Sequence, residues 1–123
     1  MNLKALLLVF IGGGLGSSLR FLIGYFFRSS STQFPYATLV ANLLGCFLIG
    51  LFVGYLNRMG MLKDQLSLFF VVGFCGGLTT FSTFSMDLFQ LIKSSSFIFP
   101  LLYFTANILL GVVVLMFGLW ISR

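Results

Sequence analysis

Residues 73–86 read Gly-Phe-Cys-Gly-Gly-Leu-Thr-Thr-Phe-Ser-Thr-Phe-Ser-Met, inside an apolar segment long enough to cross a bilayer. Glycines that weaken a helix are followed at once by hydroxyls and paired phenylalanines. Lipid offers no water to a broken helix, so irregular backbone at that depth lines a cavity or holds an ion. The segment is therefore read as a broken span carrying a site within the membrane, with residues 76–79 as the unwound point.

Three more segments reach the length of about 20 apolar residues that a spanning helix needs. The four spans are expected over Leu3–Phe27, Tyr36–Leu56, Leu66–Ile92 and Phe97–Ile121. The links Arg28–Pro35, Asn57–Gln65 and Lys93–Ser96 leave no room for a soluble domain, so residues 1–123 form a single four-span unit. A cleaved leader at the N-terminus is disfavoured, because its removal would leave three spans and discard Arg20. Leu43-Leu44-Gly45-Cys46 has a faint look of a lipoprotein cleavage box, but it lies after a complete first span.

Composition agrees. The mean hydropathy is +1.13. Charged residues are 7% of the chain, against about 25% in a soluble domain. Histidine and glutamate are absent, and the acids are Asp64 and Asp87. That removes histidine-based and paired-carboxylate catalysis and zinc-type ligand sets, so an enzyme is not expected. It also argues against proton-coupled transport, which uses intramembrane carboxylates or histidines. Cys46 and Cys75 both lie in apolar spans and read as packed thiols rather than a disulfide. The net charge of +5 comes from cations at span ends with no basic run, so nucleic acid is not an expected partner.

With four spans, both termini and the second link share one side. That side carries Lys4, Arg58, Lys63 and Arg123; the other carries Arg28 and Lys93, with Arg20 reaching toward it. The bias is small and fits insertion in both orientations. Gly12 and Gly16 are four apart, as are Cys46, Gly50 and Gly54. Such stripes let helices approach closely, within one subunit or between two.

Several polar residues inside the spans need a reason. Asn42, one turn after Thr38, either bonds to another helix or donates to a passing anion. Arg20 keeps its charge and either snorkels to the headgroups or forms a cationic vestibule. Phe81 and Phe84 share a helix face; such a pair usually packs a core, but its ring edges can face an anion. Ser82 with Ser85, and Thr80 with Thr83, repeat that spacing and could line a path or bond back to their own helix. Tyr103, Asn107 and Gly111 form a polar track on the fourth span. Asp87 is a solvated helix end or a gate-side acceptor. A broken helix also frees carbonyl oxygens, which Na⁺ can satisfy without a carboxylate.

The motifs Gly12-Gly13-Gly14-Leu15-Gly16 with Arg20, Thr38-Leu39-Val40-Ala41-Asn42-Leu43-Leu44-Gly45, and Gly73 to Ser85 resemble those of the CrcB/Fluc fluoride channels. The third is the most specific, and the likeness covers the whole chain in length and span number. The resemblance implies an all-α membrane protein with four transmembrane helices per subunit and a broken third helix, assembled as an antiparallel dual-topology homodimer in the bacterial inner membrane. It implies two fluoride pores, with Phe81, Phe84 and Asn42 on the ion path. Gly76 and Thr79 would give backbone carbonyls to a structural Na⁺ at the dimer axis, the one cofactor implied. Ser82, Thr83 and the polar-track residues Tyr103 and Asn107 would complete the fluoride pathway, with Arg20 and Thr38 at the vestibule and Asp87 as an acid beside the gate. Asn107 departs from the small hydroxyl residue frequent there, and Ala41 from a valine.

Two other classes bear comparison. A small multidrug transporter shares the size, but depends on a first-span glutamate that this chain lacks. A purely structural subunit would have no use for a broken span.

Overall fold

The computed structural model describes residues 1–94 and 96–123. The expected third link includes Ser95, which lies outside the described residues. Among the described residues, four helical segments are long and apolar enough to cross a membrane: Leu3–Phe26, Tyr36–Arg58, Gln65–Ser94 and Ile98–Ser122. The chain is a multi-pass membrane protein.

The first helix starts on Asn2, whose side-chain oxygen accepts from the Lys4 N–H at 3.0 Å. The second starts after Pro35 and ends at Arg58, and the turn beyond it uses Gly60 at φ 70°, a conformation open to glycine. The third and fourth spans each contain wider-wound π-helical stretches, Leu68–Cys75 and Ala106–Leu110. Such bulges occur often at functional sites.

Packing follows two pairs. The first helix lies along the upstream half of the third span, and the second lies along the fourth. Glycines set both contacts. A Cβ on Gly12 would fall on the Phe69 carbonyl, one on Gly16 on the Phe74 carbonyl, and one on Gly77 on the Gly13 carbonyl. Across the other pair, Gly50 meets the Leu115 backbone, Gly118 meets the Phe47 carbonyl, and Gly54 gives room to the Ser122 hydroxyl. Both small-residue stripes therefore pack helices within one chain. Close backbone approach gives dispersion contact where lipid supplies no hydrophobic driving force.

The break differs in place from the sequence expectation. Gly76–Leu78 is helical; extended backbone appears at Thr79, with φ −82° and ψ 152°, and a new helix runs from Phe81 to Ser94. Gly73 and Gly77 are needed for contact with the first helix, and the chain turns out of its helix just after them.

Candidate functional site

The break is held from three sides. On its own chain, the Thr79 N–H and Oγ1 both donate to the Cys75 carbonyl at 2.9 Å, closing the upstream half. Thr80 caps the downstream half: its Oγ1 accepts from the N–H of Thr83, the third residue of the new helix, at 3.2 Å.

From the second span comes Asn42. Its Oδ1 accepts from the Thr80 N–H at 2.9 Å. Its Nδ2 donates to Asn107 Oδ1 at 3.0 Å and to the Thr80 carbonyl at 3.4 Å. Asn107 Nδ2 in turn donates to the Tyr103 carbonyl at 2.9 Å. One amide thus ties the second, third and fourth spans together. In a continuous helix the Thr80 N–H would serve the Gly76 carbonyl; here it serves Asn42 instead. Gly45, three residues after Asn42, leaves the space occupied by the Thr79 methyl.

From the first span comes Arg20, whose Nε donates to the Gly77 carbonyl at 3.1 Å, beside a longer bond from Ser17 Oγ at 3.4 Å. The break deprives that carbonyl of its helical donor, and a guanidinium takes the place. In this contact Arg20 is directed to the broken span and not to the headgroups alone. It lines a cleft of about 690 Å³ with Thr38, Thr80 and Thr83.

A second cleft, about 260 Å³, is lined by Asn42, Thr80, Phe81, Phe84 and Asn107. Thr80 lines both clefts. The rings of Phe81 and Phe84 are 6.0 Å apart between centroids, but their settings differ. Phe81 is 79% exposed on the single chain, whereas Phe84 is 6% exposed and tilted against the fully buried Tyr103 at 5.3 Å.

Asp87 is bound within the fold. Thr38 Oγ1 donates to its Oδ2 at 2.6 Å, and the Tyr103 hydroxyl donates to the same oxygen at 3.0 Å. Asp87 also borders a polar cleft of about 230 Å³ with Gln33, Gln90 and Ser94. A line of polar groups therefore runs from Asn42 and Asn107 past Tyr103 and Asp87 to the end of the downstream half. Ser82 is exposed beside the break, its hydroxyl 3.3 Å from Thr80 Oγ1.

The structure brings Asn42, Thr79, Phe81, Phe84 and Asn107 to one cleft, and Arg20, Thr38 and Thr83 to another. Gly76 lies apart from both, exposed on the surface of the chain. Thr80 matters more than its pairing with Thr83 suggests, Gly77 acts through its carbonyl where the sequence marks it only as part of the unwound point, and Ser17 goes unmarked in the sequence. Ser17 had a usable signal, since it lies three residues before Arg20 on the same helix face. Among the described residues no group of three His, Cys, Asp or Glu side chains could hold a metal.

Comparison with known proteins identifies the family. The model of the family described as "CrcB-like protein, Camphor Resistance (CrcB)" matches residues 7–119. The chain belongs to this family. It is 42% identical over 122 residues to the fluoride-specific ion channel FluC of Phocaeicola vulgatus, covering 98% of this chain and 100% of that protein. It is 41% identical over 122 residues to the protein of the same name from Flavobacterium psychrophilum, covering 98% of each. The likeness to the one from Serratia proteamaculans is 39% over 124 residues, again 98% of each. The family expected from the motifs is thus the family found. These relatives are named as channels and not as enzymes, in line with the exclusion of catalysis from composition.

Proposed function

We propose that this chain is a fluoride-selective passive channel. The observation that carries the proposal is the break at residues 79–80, with two phenylalanine rings and two carboxamides gathered in one cleft beside it. The relatives' printed names support the same ion.

Fluoride is small and holds its water strongly. A pore must replace that water with fixed donors and still release the ion. Amide N–H groups, hydroxyls and ring edges give modest positive potential, strengthened by the low local dielectric. In this reading Arg20 draws the anion into the larger cleft beside Thr38 and Thr83. Asn42, Phe81 and Phe84 take it past the break, and Asn107, Tyr103 and Ser82 supply polar contacts. Asp87 holds Tyr103 and Thr38 in place at the far end. The ion moves down its electrochemical gradient with no coupled step. Under acid conditions HF enters a cell and dissociates, so such a pore lowers internal fluoride.

The assembly proposed is an antiparallel homodimer with dual topology in a bacterial inner membrane. Both clefts at the break open on the surface of the single chain, and an ion path open to lipid would not conduct. A second copy would close them. The small Lys and Arg bias between the two sides permits both orientations. A structural Na⁺ between the copies fits the donor set. The Gly76 carbonyl has lost its helical donor to Asn42, and Gly76 is exposed on the single chain, one turn from the extended Thr79. Na⁺ accepts such neutral oxygens.

The test is efflux from liposomes holding the purified protein, read by fluoride and chloride electrodes. Rapid fluoride loss with chloride retained is the expected result. Folded protein that releases no fluoride, or releases chloride equally, refutes the proposal.

A further inference from the structure

At the end of the molecule away from the break, the second and fourth spans finish side by side, and each carries the same short pattern. Tyr55 precedes Arg58 by three residues, and Trp120 precedes Arg123 by three. Both aromatics are exposed, at 49% and 65%. Exposed Tyr and Trp near span ends mark the headgroup boundary, so each arginine sits one turn further out, where lipid phosphates lie. Between the helix ends is a cleft of about 590 Å³. Its polar lining is Asn57, Arg58 and Arg123, with no carboxylate side chain, and its apolar wall includes Val53, Leu62 and Leu119.

Cations at helix C-termini also offset the helix dipole, and Arg58 does part of that work: its Nη1 donates to the Arg123 main-chain oxygen at 3.3 Å. That uses one of five guanidinium donors. The same guanidinium lies over the Tyr55 ring, 4.6 Å from its centroid, which fixes its plane. A held guanidinium, a second arginine and an amide at one rim offer forked donors to a phosphate, and the wall below them is apolar.

We propose that Asn57, Arg58 and Arg123 form a binding site for the phosphate of an anionic phospholipid, whose acyl chain lies along Val53, Leu62 and Leu119. Two positive groups with an apolar wall running inward fit a lipid better than a free phosphate, which has no use for the wall. The site is separate from the ion path and does not depend on which ion the chain conducts.

The chain's single tryptophan reads lipid at the site, because Trp120 is exposed and lies one helical turn before the cleft residue Arg123. Full-length protein is reconstituted in phosphatidylcholine bilayers containing brominated phosphatidylglycerol or brominated phosphatidylcholine, and quenching of Trp120 gives the relative association of the two lipids. The anionic phosphatidylglycerol is expected to be favoured, by about fivefold for each arginine that engages it. R58Q and R123Q should each lower the preference about fivefold, and R58Q/R123Q should abolish it. K4Q/K63Q removes as much charge from the same end outside the cleft and should leave it unchanged. Equal association of the two lipids with unaltered protein overturns the proposal, even if the double variant fails to fold. So does a preference that survives R58Q/R123Q, or one that falls as far in K4Q/K63Q. Loss of the preference on adding inorganic phosphate at constant ionic strength would assign the cleft to free phosphate and also overturn it.

Discussion

Replacing Gly45 with alanine should disturb the break without touching any residue of the proposed ion path. The new Cβ would fall on the Thr79 methyl, while its next neighbours, Thr79 Cβ at 3.6 Å and Leu78 Cγ at 3.7 Å, are in ordinary contact. Thr79 cannot turn aside freely, because its Oγ1 donates to the Cys75 carbonyl at 2.9 Å and its backbone makes the extended step between the two halves. Overpacking of this kind costs about 1–3 kcal/mol. The clash is with a single methyl, so Thr79→Ser should relieve it, since serine keeps the hydroxyl and loses Cγ2. Alone, T79S should cost about 1 kcal/mol for the lost methyl contact. Together, G45A/T79S should be more stable than the sum of the single changes by about 1–2 kcal/mol. The four proteins are compared by thermal unfolding in one detergent and by fluoride efflux from liposomes. G45A should unfold earlier and conduct less, and the double variant should regain most of both. If G45A matches the unaltered protein, or T79S gives no relief in its presence, the seating of Thr79 against Gly45 is not what holds the break.

Three further outcomes are expected. Phe81→Ile and Phe84→Ile should both cut fluoride efflux strongly, but only F84I should also lower stability, by about 1–2 kcal/mol, because Phe84 packs on Tyr103 whereas Phe81 is exposed on the single chain; unchanged efflux in both removes the rings from the ion path. Asn42→Ala leaves the Thr80 N–H without its acceptor and should cost about 1–2 kcal/mol of stability together with a loss of transport, and normal efflux would assign Asn42 to helix bonding alone. Strictly Na⁺-free purification and reconstitution should weaken the dimer, seen in its size on a gel-filtration column, or its transport; full assembly and flux without Na⁺ would count against the Gly76 and Thr79 carbonyls as ligands.

Much of the fold is legible in the sequence because lipid tolerates so few solutions. The first helix begins at Leu3 as the apolar run does, and the second begins at Tyr36, directly after a proline that cannot donate to a preceding turn. Helix ends are less legible. The second helix continues through Asn57 and Arg58, since a polar end that reaches the headgroups remains helical. The small-residue stripes announce close contact but not the partner, and only the structure shows that both face helices of the same chain.

The candidate site is legible in residue type and illegible in geometry, and the glycines of the third span show why. A glycine within a membrane helix serves either as a weak point or as a place of close approach, and the sequence looks the same in both cases. Gly73 and Gly77 serve close approach: a side chain on either would meet the backbone of the first helix. With the glycines engaged there, the extended step falls at Thr79, where Asn42 takes the Thr80 N–H and Gly45 makes room for the methyl. Arg20 could not be assigned from sequence for the same reason, because the Gly77 carbonyl needs a new donor only once the helix ends beside it. The break is thus over-determined by residues from three spans, which is how an unfavourable backbone can persist at membrane depth. Gly76 is the consequence of that arrangement. Its carbonyl gives up its helical donor to the same asparagine that joins the spans, and it does so at the exposed surface where a second copy is proposed to sit.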